Sequence, residues 1–352
     1  MKRLLPVLMG FALLLLSSTE GWSDNYSAGA QSYDRGDYAA ALIDIKPLAE
    51  QGHADAQTLL GVMYLKGQGV PQDHKTAVKW LTLAAKQGNA GAQSVLNQLG
   101  EKIFAENFQK SKDAFFKKDY ATVFRLLKPL AELGHARAQG NLGVMYKHGH
   151  GVTKNDKTAM KWYRLAAEQG NATAQFNLGN GYRTGQGVIQ DYKTAVKWYS
   201  LSANQGNADA QLSLGEMYEN EQGVIQDYKT AVKWYRLAAD QGNPYAQYSL
   251  GFKYLKGLGV PEDSKTALKW FRLAAKQGNT FAQYNLGVMH ANGDGVVRDN
   301  ARAYMWWKIA GSLGHMGATQ NMDVVAKNMN PADISAAQKL AQECVRKKYK
   351  GC

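Results

Sequence analysis

The chain has very few of the residues that build a disulfide-stabilised domain. Among its 352 residues only Cys344 and Cys352 are cysteines, and both lie at the C-terminal end. The body of the protein is therefore not held together by disulfides. In an oxidising compartment the two cysteines can form a disulfide that fixes the tail, and two free thiols on a frayed end are the equal alternative.

Motifs of covalent, redox and nucleotide chemistry are also absent. The sequence contains no G-x-S-x-G, no C-x-x-C, no Walker-type glycine loop, and no serine followed three residues later by lysine. His148 and His150 stand two apart in a glycine-rich loop, but the sequence offers no evident third zinc ligand. We predict that the protein is not an enzyme and that it has no cofactor and no metal.

Only one long apolar run occurs, at residues 4–16, directly after Lys2 and Arg3. A positive start, a short apolar segment and small residues before a cleavage point after Ser23 are typical of a secretory signal peptide. The run is shorter than the roughly 20 residues of a membrane-spanning helix. We expect residues 1–23 to be removed and the mature chain to be exported and not transmembrane.

The charge balance is basic, with 42 lysines and arginines against 29 aspartates and glutamates. A basic surface is suited to acidic partners or an anionic envelope surface, and export argues against nucleic acid. The lysines are not clustered, and many of them form pairs four residues apart at fixed intervals, which is typical of a solvated helix face. These pairs are Lys75/Lys79, Lys157/Lys161, Lys193/Lys197, Lys229/Lys233 and Lys265/Lys269.

The most prominent feature of the sequence is an internal repeat. The stretch GVIQDYKTAVKWY occupies residues 187–199 and returns unchanged at 223–235. A fixed period of 20–50 residues is the signature of a solenoid. With a period of 36, the six full units are 54–89, 136–171, 172–207, 208–243, 244–279 and 280–315.

Each unit predicts a pair of helices, shown here for 172–207. In the first helix Ala174, Leu178 and Tyr182 share one face, and the helical Gly179 predicts two backbones in close approach. A G-x-G pair that recurs in five of the six units, Gly185 and Gly187 in this one, then turns the chain.

In the second helix Asp191 is the predicted N-cap, and Ala195, Trp198 and Ala203 form the buried stripe. Tryptophan recurs at one position of every unit and is predicted to pack between successive helix pairs. These residues are Trp80, Trp162, Trp198, Trp234, Trp270 and Trp306.

The units define the organisation of the chain. Residues 33–53 resemble residues 115–135 at an offset of 82, so the N-terminal third is a duplicated block. We predict a signal peptide (1–23), an N-terminal solenoid part (24–135), five tandem repeats (136–315) and a C-terminal cap (316–352). The N-terminal part divides into a short helix pair (28–53), a full repeat (54–89), a connecting helix (90–109) and a second short pair (110–135).

These motifs resemble the Sel-one-like repeat family, which is related to tetratricopeptide repeats. In unit 244–279 the matching residues are Ala246, Leu250, Gly251, Tyr254, Gly257, Gly259, Val260, Asp263, Ala267, Trp270, Ala274, Ala275 and Gly278. Departures are Glu221 for a loop glycine, which predicts a stiffer or differently shaped loop, Asn155 for the cap aspartate and His290 for the tyrosine. The resemblance implies an all-α fold, a right-handed α/α superhelical solenoid with a C-terminal capping helix.

Comparison among the units separates architectural residues from candidate binding residues. A glutamine identical in all six units (Gln57, Gln139, Gln175, Gln211, Gln247 and Gln283) is predicted to form hydrogen bonds between repeats. The second and fifth positions of the first helices vary and become aromatic towards the C-terminus. We call Phe176, Leu212, Tyr245, Tyr248, Phe281 and Tyr284, with the neighbouring Phe252, the aromatic stripe.

The aromatic stripe is the candidate partner-binding site. Aromatic residues are favoured interface anchors, and first helices of solenoids line a concave groove. The hypothesis is that the stripe binds a peptide or a helix of a partner protein. The alternative, equally open at this point, is that the rings seal adjacent repeats.

The resemblance implies an exported bacterial adaptor, periplasmic or secreted, that acts as a monomer and binds a protein or peptide. One alternative is a protein that binds or hydrolyses cell-wall fragments (peptidoglycan or β-lactam), although relatives linked to that role carry a cysteine pair per unit, which this chain lacks. The other alternative is a basic protein that binds anionic envelope glycan or lipid through its paired lysines.

Overall fold

A computed structural model describes residues 23–349 and residue 352. The predicted signal peptide lies outside the described residues apart from Ser23, and no β-strand occurs within 23–349. The helices are α1 Ser23–Asp34, α2 Tyr38–Glu50, α3 Ala54–Lys66, α4 His74–Lys86, α5 Ala90–Phe116, α6 Tyr120–Glu132, α7 Ala136–His148, α8 Asp156–Glu168, α9 Ala172–Thr184, α10 Tyr192–Asn204, α11 Ala208–Glu219, α12 Tyr228–Asp240, α13 Pro244–Lys256, α14 Ser264–Lys276, α15 Thr280–Asn292, α16 Asn300–Ser312, α17 Met316–Ala326 and α18 Pro331–Arg346.

The helices form two compact units, one ending at Gln169 and the other beginning at Gly170. Within the first, α1 packs on α2, α3 on α4 and α7 on α8; α2 also contacts α3, α4 contacts α5, and α6 contacts both α5 and α7. Within the second, α9–α10, α11–α12, α13–α14 and α15–α16 are the hairpins, and α18 packs on α16. The predicted all-α solenoid of helix pairs is confirmed.

Polar side chains fix where each helix begins. The Asn171 side chain accepts a hydrogen bond from the backbone N–H of Ala174 (2.9 Å), and Asp191 does the same for Thr194 (3.2 Å). An N-cap of this kind satisfies one of the backbone donors that the first turn leaves unpaired. His135 replaces the asparagine in one unit, and its Nδ1 accepts from Ala138 N at 3.2 Å. The histidines at unit ends are thus caps.

The core of each hairpin depends on the glycine at the eighth position of its first helix. A methyl group at Gly179 would lie 2.7 Å from Cδ1 of Tyr199, whose side chain is fully buried. The sequence predicted two backbones in contact, but the space is taken by the ring from the second helix. The same pairing recurs in the other units as Gly61–Leu81, Gly143–Tyr163, Gly215–Tyr235, Gly251–Phe271 and Gly287–Trp307.

The repeated tryptophan lies one residue before that ring and is less enclosed than predicted. Trp306 is buried, but the other five, including Trp198, are half-buried. Trp234 packs against a core cluster built from α10 and α11, and Trp270 against one built from α12 and α13. The indoles therefore do pack where successive hairpins meet, while the following residue fills the interior. Adjacent positions on a helix point about 100° apart, so one residue reaches the core and the other its edge.

The identical glutamines connect consecutive hairpins, as predicted. The Gln247 side chain donates to the carbonyl oxygen of Ala239 in the preceding hairpin (3.1 Å) and accepts from Gln277 (2.9 Å). Gln283 also donates to the preceding hairpin, but its side-chain oxygen has no partner in the described part of the chain. Leu313 stands where the other units supply the donating glutamine.

The glycine-rich loop turns the chain and contacts the preceding hairpin. Gly185 ends α9 in the left-handed conformation (φ +73°). In the loop of the next unit, Gly223 occupies the second of the two glycine positions. A methyl group there would lie 2.6 Å from the carbonyl oxygen of Tyr192 on the preceding hairpin. Glu221 occupies the first loop position of that unit with φ +57°. The loop was expected to be stiffer or differently shaped, yet Asp227 N still donates to Tyr218 O as in the other units.

One helix differs from the predicted organisation, and the cysteine pairing that the sequence left open is defined by the structure. The predicted connecting helix 90–109 and the first helix of the second short pair form one continuous helix, α5, because no glycine or proline interrupts residues 101–116. At the other end, Cys344 and Cys352 are joined by a disulfide. Cys344 is buried in the cluster between α16 and α18, so the disulfide ties residue 352 to the core of the cap.

We expect Phe271→Ala to lower the free energy of unfolding by about 3–5 kcal/mol, because it removes the ring that fills the space beside Gly251. The matched control is Trp270→Ala, which removes a larger but half-buried ring and should cost less. Urea unfolding followed by circular dichroism compares the two variants. An equal or larger loss for Trp270→Ala would contradict this account of the core.

We expect Glu221→Gly to raise the free energy of unfolding by about 1 kcal/mol, because glycine adopts positive φ without the steric cost that a side chain meets. The reverse change in the preceding unit, Gly185→Glu, should lower it by a similar amount. Thermal unfolding measures both. No gain from Glu221→Gly would show that the loop is unstrained.

Candidate functional site

All seven residues of the aromatic stripe lie on first helices of the Gly170–Cys352 unit: on α9, α11, α13 and α15. Tyr245 and Phe281, at the second position of their helices, are 60% and 52% exposed. The other five are half-buried. The position along the helix therefore decides exposure, since the second position points away from the hairpin core.

The structure brings part of the stripe into direct contact. The Tyr248 ring lies 6.4 Å from Phe252 and 5.7 Å from Phe281, measured between centroids. It also lies 5.9 Å from the core ring of Phe271. These are the separations of tilted aromatic pairs that stabilise each other. Tyr248, Phe252 and Phe281 thus form a continuous apolar surface across α13 and α15, and Tyr245 stands at the start of α13.

The remaining stripe residues mainly seal the repeats. Tyr284 stacks on His315 (4.5 Å), and its hydroxyl accepts from Asn321 at 3.2 Å. Phe176 lies 5.9 Å from the core ring of Tyr199, and Leu212 packs on the cluster between α12 and α13. These three side chains therefore contact neighbouring helices or the cap, whereas Tyr245 and Phe281 are the stripe residues with the most exposed surface.

A buried ion pair lies beside this apolar surface. Lys253 is 1% exposed, and its ammonium group contacts the carboxylate of Glu219 on the preceding hairpin. The ammonium also lies over the Tyr228 ring, 5.1 Å from its centroid, and over Phe252 at 5.7 Å. A buried charge is tolerated only when it is paired, and cation–π contacts add to the pairing.

The Glu219 carboxylate has a second partner and remains partly accessible. The Tyr235 hydroxyl donates to its other oxygen at 2.6 Å, and burial together with this carboxylate raises the pKa of Tyr235. The Glu219 side chain keeps 27% of its surface exposed. A carboxylate that is held in place and still reaches solvent can accept a hydrogen bond from a bound molecule.

Further polar groups extend the site along α9 and α11. The Tyr199 hydroxyl donates to Asn180 (2.7 Å) and accepts from the Arg183 guanidinium (3.2 Å). Burial raises the pKa of Glu216, the Arg183 charge counteracts this, and Glu219 adds to it. The surface thus combines exposed rings with fixed charges of both signs.

Sequence reasoning missed Lys253, although a signal was present. At this tenth position of the first helix, four units have methionine (Met63, Met145, Met217 and Met289) and a fifth has Gly181. A lysine at a position that is otherwise apolar is a departure that comparison among units can detect.

Metal and membrane sites find no support in the described residues. The His148 and His150 rings stack at 5.5 Å, and no group of three histidine, cysteine or acidic side chains able to hold a metal occurs among residues 23–349 and 352. Burial and the nearby Lys147 lower the pKa of His148. Over the same residues, every helix is too short or too polar to cross a bilayer.

A protein-family model described as the Sel1 repeat matches six segments: 54–89, 136–171, 172–207, 208–243, 244–279 and 280–315. These are the six units found by periodicity. Among solved structures, a Sel1 repeat protein from Oxalobacter formigenes is 32% identical with a TM-score of 0.59, covering 67% of this chain and 98% of that one.

Two curated proteins resemble shorter stretches. The chitin synthase regulator SKT5 of Saccharomyces cerevisiae is 32% identical over 119 residues, which is 34% of this chain and 16% of that protein. The human protein sel-1 homolog 2 is 32% identical over 150 residues, or 41% of this chain and 20% of that protein. The chain thus matches a fifth or less of the length of these relatives.

We expect Glu219→Ala to lower the free energy of unfolding by about 3 kcal/mol, because it leaves the Lys253 ammonium buried without its partner. Lys253→Met restores the residue of most other units and should be neutral within about 1 kcal/mol or stabilising. The double variant should recover most of the loss caused by Glu219→Ala. Urea unfolding tests this, and a double variant as unstable as Glu219→Ala would contradict the pairing.

Proposed function

The chain belongs to the Sel1 repeat family, and from that premise we propose that it is an exported, non-catalytic scaffold that binds a segment of a partner protein. Sel1 repeat proteins are generally protein–protein interaction scaffolds. The observation that carries the proposal is the exposure of Tyr245 and Phe281 beside the half-buried Tyr248 and Phe252.

Exposure of these rings is costly in water unless they are covered for part of the time. Each aromatic side chain presents 150–250 Å² for burial, and tyrosine and phenylalanine are enriched at the centres of interfaces. The Phe281 ring meets His315 edge-on at 5.6 Å, yet Phe281 and Tyr245 keep half or more of their surface exposed. A partner segment can cover this remaining surface.

The neighbouring charges define the chemistry of that partner. The Glu219 carboxylate is fixed by Lys253 and Tyr235 and keeps an accessible surface, so it suits a hydrogen-bond donor. We therefore infer a peptide or helix that places an apolar side chain on the Tyr248–Phe281 surface and a donor or cationic group near Glu219. The fixed pair costs little further ordering when the partner binds, and such preorganisation favours affinity.

Export is part of the proposal and rests on residues 1–23. A positive start and a short apolar run are the support for a cleaved signal, and the basic mature chain suits an envelope setting in the periplasm or outside the cell. N-terminal sequencing of the protein from a periplasmic or culture fraction should begin at Asp24. A chain retained in the cytoplasm with residues 1–23 intact would contradict export alone.

The binding prediction concerns the double variant Tyr245→Ala/Phe281→Ala. Each ring at the centre of an interface contributes about 2 kcal/mol or more, which is about 30-fold for one ring, so loss of both rings should weaken binding by roughly 900-fold. Stability should change by no more than about 0.5 kcal/mol for each exposed position. The partner is first captured with a photocrosslinking residue at position 245, and its purified form is then titrated against both proteins.

The matched control is Ile189→Ser/Ile225→Ser, which alters two exposed apolar side chains at loop tips (91% and 86% exposed) away from the stripe. It should bind like the unaltered protein. Loss of binding in the loop variant with retention in the ring variant would overturn the proposed site.

A second candidate function is the binding of anionic glycan or lipid. The second helices of the Gly170–Cys352 unit expose six lysines along one series of positions, and the loop tips Ile189 and Ile225 are exposed apolar residues in the same unit. Association with anionic vesicles that disappears in moderate salt, and that persists in the Tyr245→Ala/Phe281→Ala variant, would favour this function.

A further inference from the structure

The Met1–Gln169 unit contains a cavity of about 240 Å³ between α5, α6 and α7, far along the chain from the aromatic stripe. Apolar side chains form most of its wall. They include Phe115, Phe116, Tyr120 and Val123, and the polar groups in the wall include Ser111 and His150. A concave and mostly apolar space with a few polar groups is the usual form of a small-ligand site.

The cavity has a buried floor and an aromatic rim. Val123, Leu127 and Met145 are buried, whereas Phe115 and Phe116 are 48% and 73% exposed at the end of α5. Rings also line the side: Phe115 meets Tyr120 edge-on at 5.7 Å. Two neighbouring phenylalanines left open to solvent at the mouth of an apolar space favour a molecule that covers them.

One polar group in the wall lacks a partner. Ser111 is 8% exposed, and its hydroxyl finds no hydrogen-bond partner in the described part of the chain. Leaving a buried hydroxyl without a hydrogen-bond partner is unfavourable. A bound molecule with its own hydroxyl recovers this cost, while a purely apolar one does not.

The duplicated block provides an internal comparison, because hydrogen-bonded side chains occupy the corresponding position of the first copy. There the Tyr33 hydroxyl donates to Gln68 (2.7 Å), and the Gln68 amide donates to the Tyr38 hydroxyl (2.6 Å). Gly29, the counterpart of Ser111, has no room for a side chain, since a methyl group would lie 2.8 Å from Cγ1 of Ile45.

The second copy replaces three of the four residues that close this position, while Tyr120 stands unchanged for Tyr38. Phe115 stands for Tyr33 and lacks the hydroxyl, and His150 stands for Gln68 and stacks on Tyr120 at 4.3 Å. Ser111 stands for Gly29, so a hydroxyl is present in place of a filled space. The differences between the copies remove the polar link and add a group that needs a partner.

We propose that this cavity binds a single phenol-type ring, with the ring between Tyr120 and the buried floor and its hydroxyl bonded to Ser111. A cavity of about 150 Å³ is known to hold benzene, so 240 Å³ accommodates a substituted ring. The same chemistry can come from a small phenol or from a tyrosine side chain of a peptide. The site is independent of the proposed scaffold surface, because it lies in the other unit.

Calorimetric titration of the mature full-length chain with phenol and with toluene tests the proposal. Phenol should bind more tightly than toluene, and Ser111→Ala should weaken phenol binding about 5- to 10-fold while leaving toluene binding unchanged. The matched control is Ser94→Ala, on the same helix and outside the cavity. Phe116→Ala, at the exposed rim, should weaken both probes without affecting folding.

A short peptide containing tyrosine, titrated in parallel, distinguishes the two sources of the ring. Tighter binding than phenol identifies a peptide ligand, and no peptide binding together with phenol binding identifies a small molecule. The proposal is overturned if neither phenol nor the peptide binds, or if Ser111→Ala leaves phenol binding unchanged.

Discussion

The contact between a helical glycine and the ring or leucine twenty residues later determines how the hairpin of each of the six repeats closes. Because the glycine has no side chain, the second helix can place Tyr199 or its counterpart directly against the first helix. The glycine costs about 0.5–1 kcal/mol of helix stability relative to alanine, and the enclosed ring offsets this several times over. The position of the tryptophan, at the edge where the next hairpin arrives, follows from this arrangement.

The candidate binding surface is a local departure from an otherwise repeated pattern. Lys253 replaces methionine, Glu219 supplies its partner from the previous hairpin, and the rings of Tyr245 and Phe281 stand outside the core. A solenoid can accept such changes because most contacts that close a hairpin lie within that hairpin or its neighbour. Specific chemistry can thus be placed in one unit without altering the others.

The sequence predicts the fold well and the site only in part. Period, helix caps and turn glycines are local signals, and they place the six units correctly. The local sequence does not show which of two adjacent aromatic residues is buried, because this depends on the rotation of one helix against another. The tryptophan was therefore predicted to be more buried than it is. The charges at Lys253 and Glu219 meet only after two hairpins stack. For Tyr284 the sequence left partner binding and sealing of the repeats equally open, and its contacts with His315 and Asn321 depend on the cap, whose position the repeat pattern does not define.

The glutamine that links consecutive hairpins has a consequence for the evolution of the chain. Each middle hairpin offers its successor the same kind of carbonyl oxygen that its own glutamine uses on its predecessor, as Ala203 does for Gln211 and Ala239 for Gln247. The glutamine pair that accompanies this bond, Gln247 with Gln277, lies within one unit of 36 residues and is copied with it. A duplicated unit therefore meets compatible neighbours on both sides, which accounts for two identical stretches of thirteen residues in consecutive units in the middle of the protein.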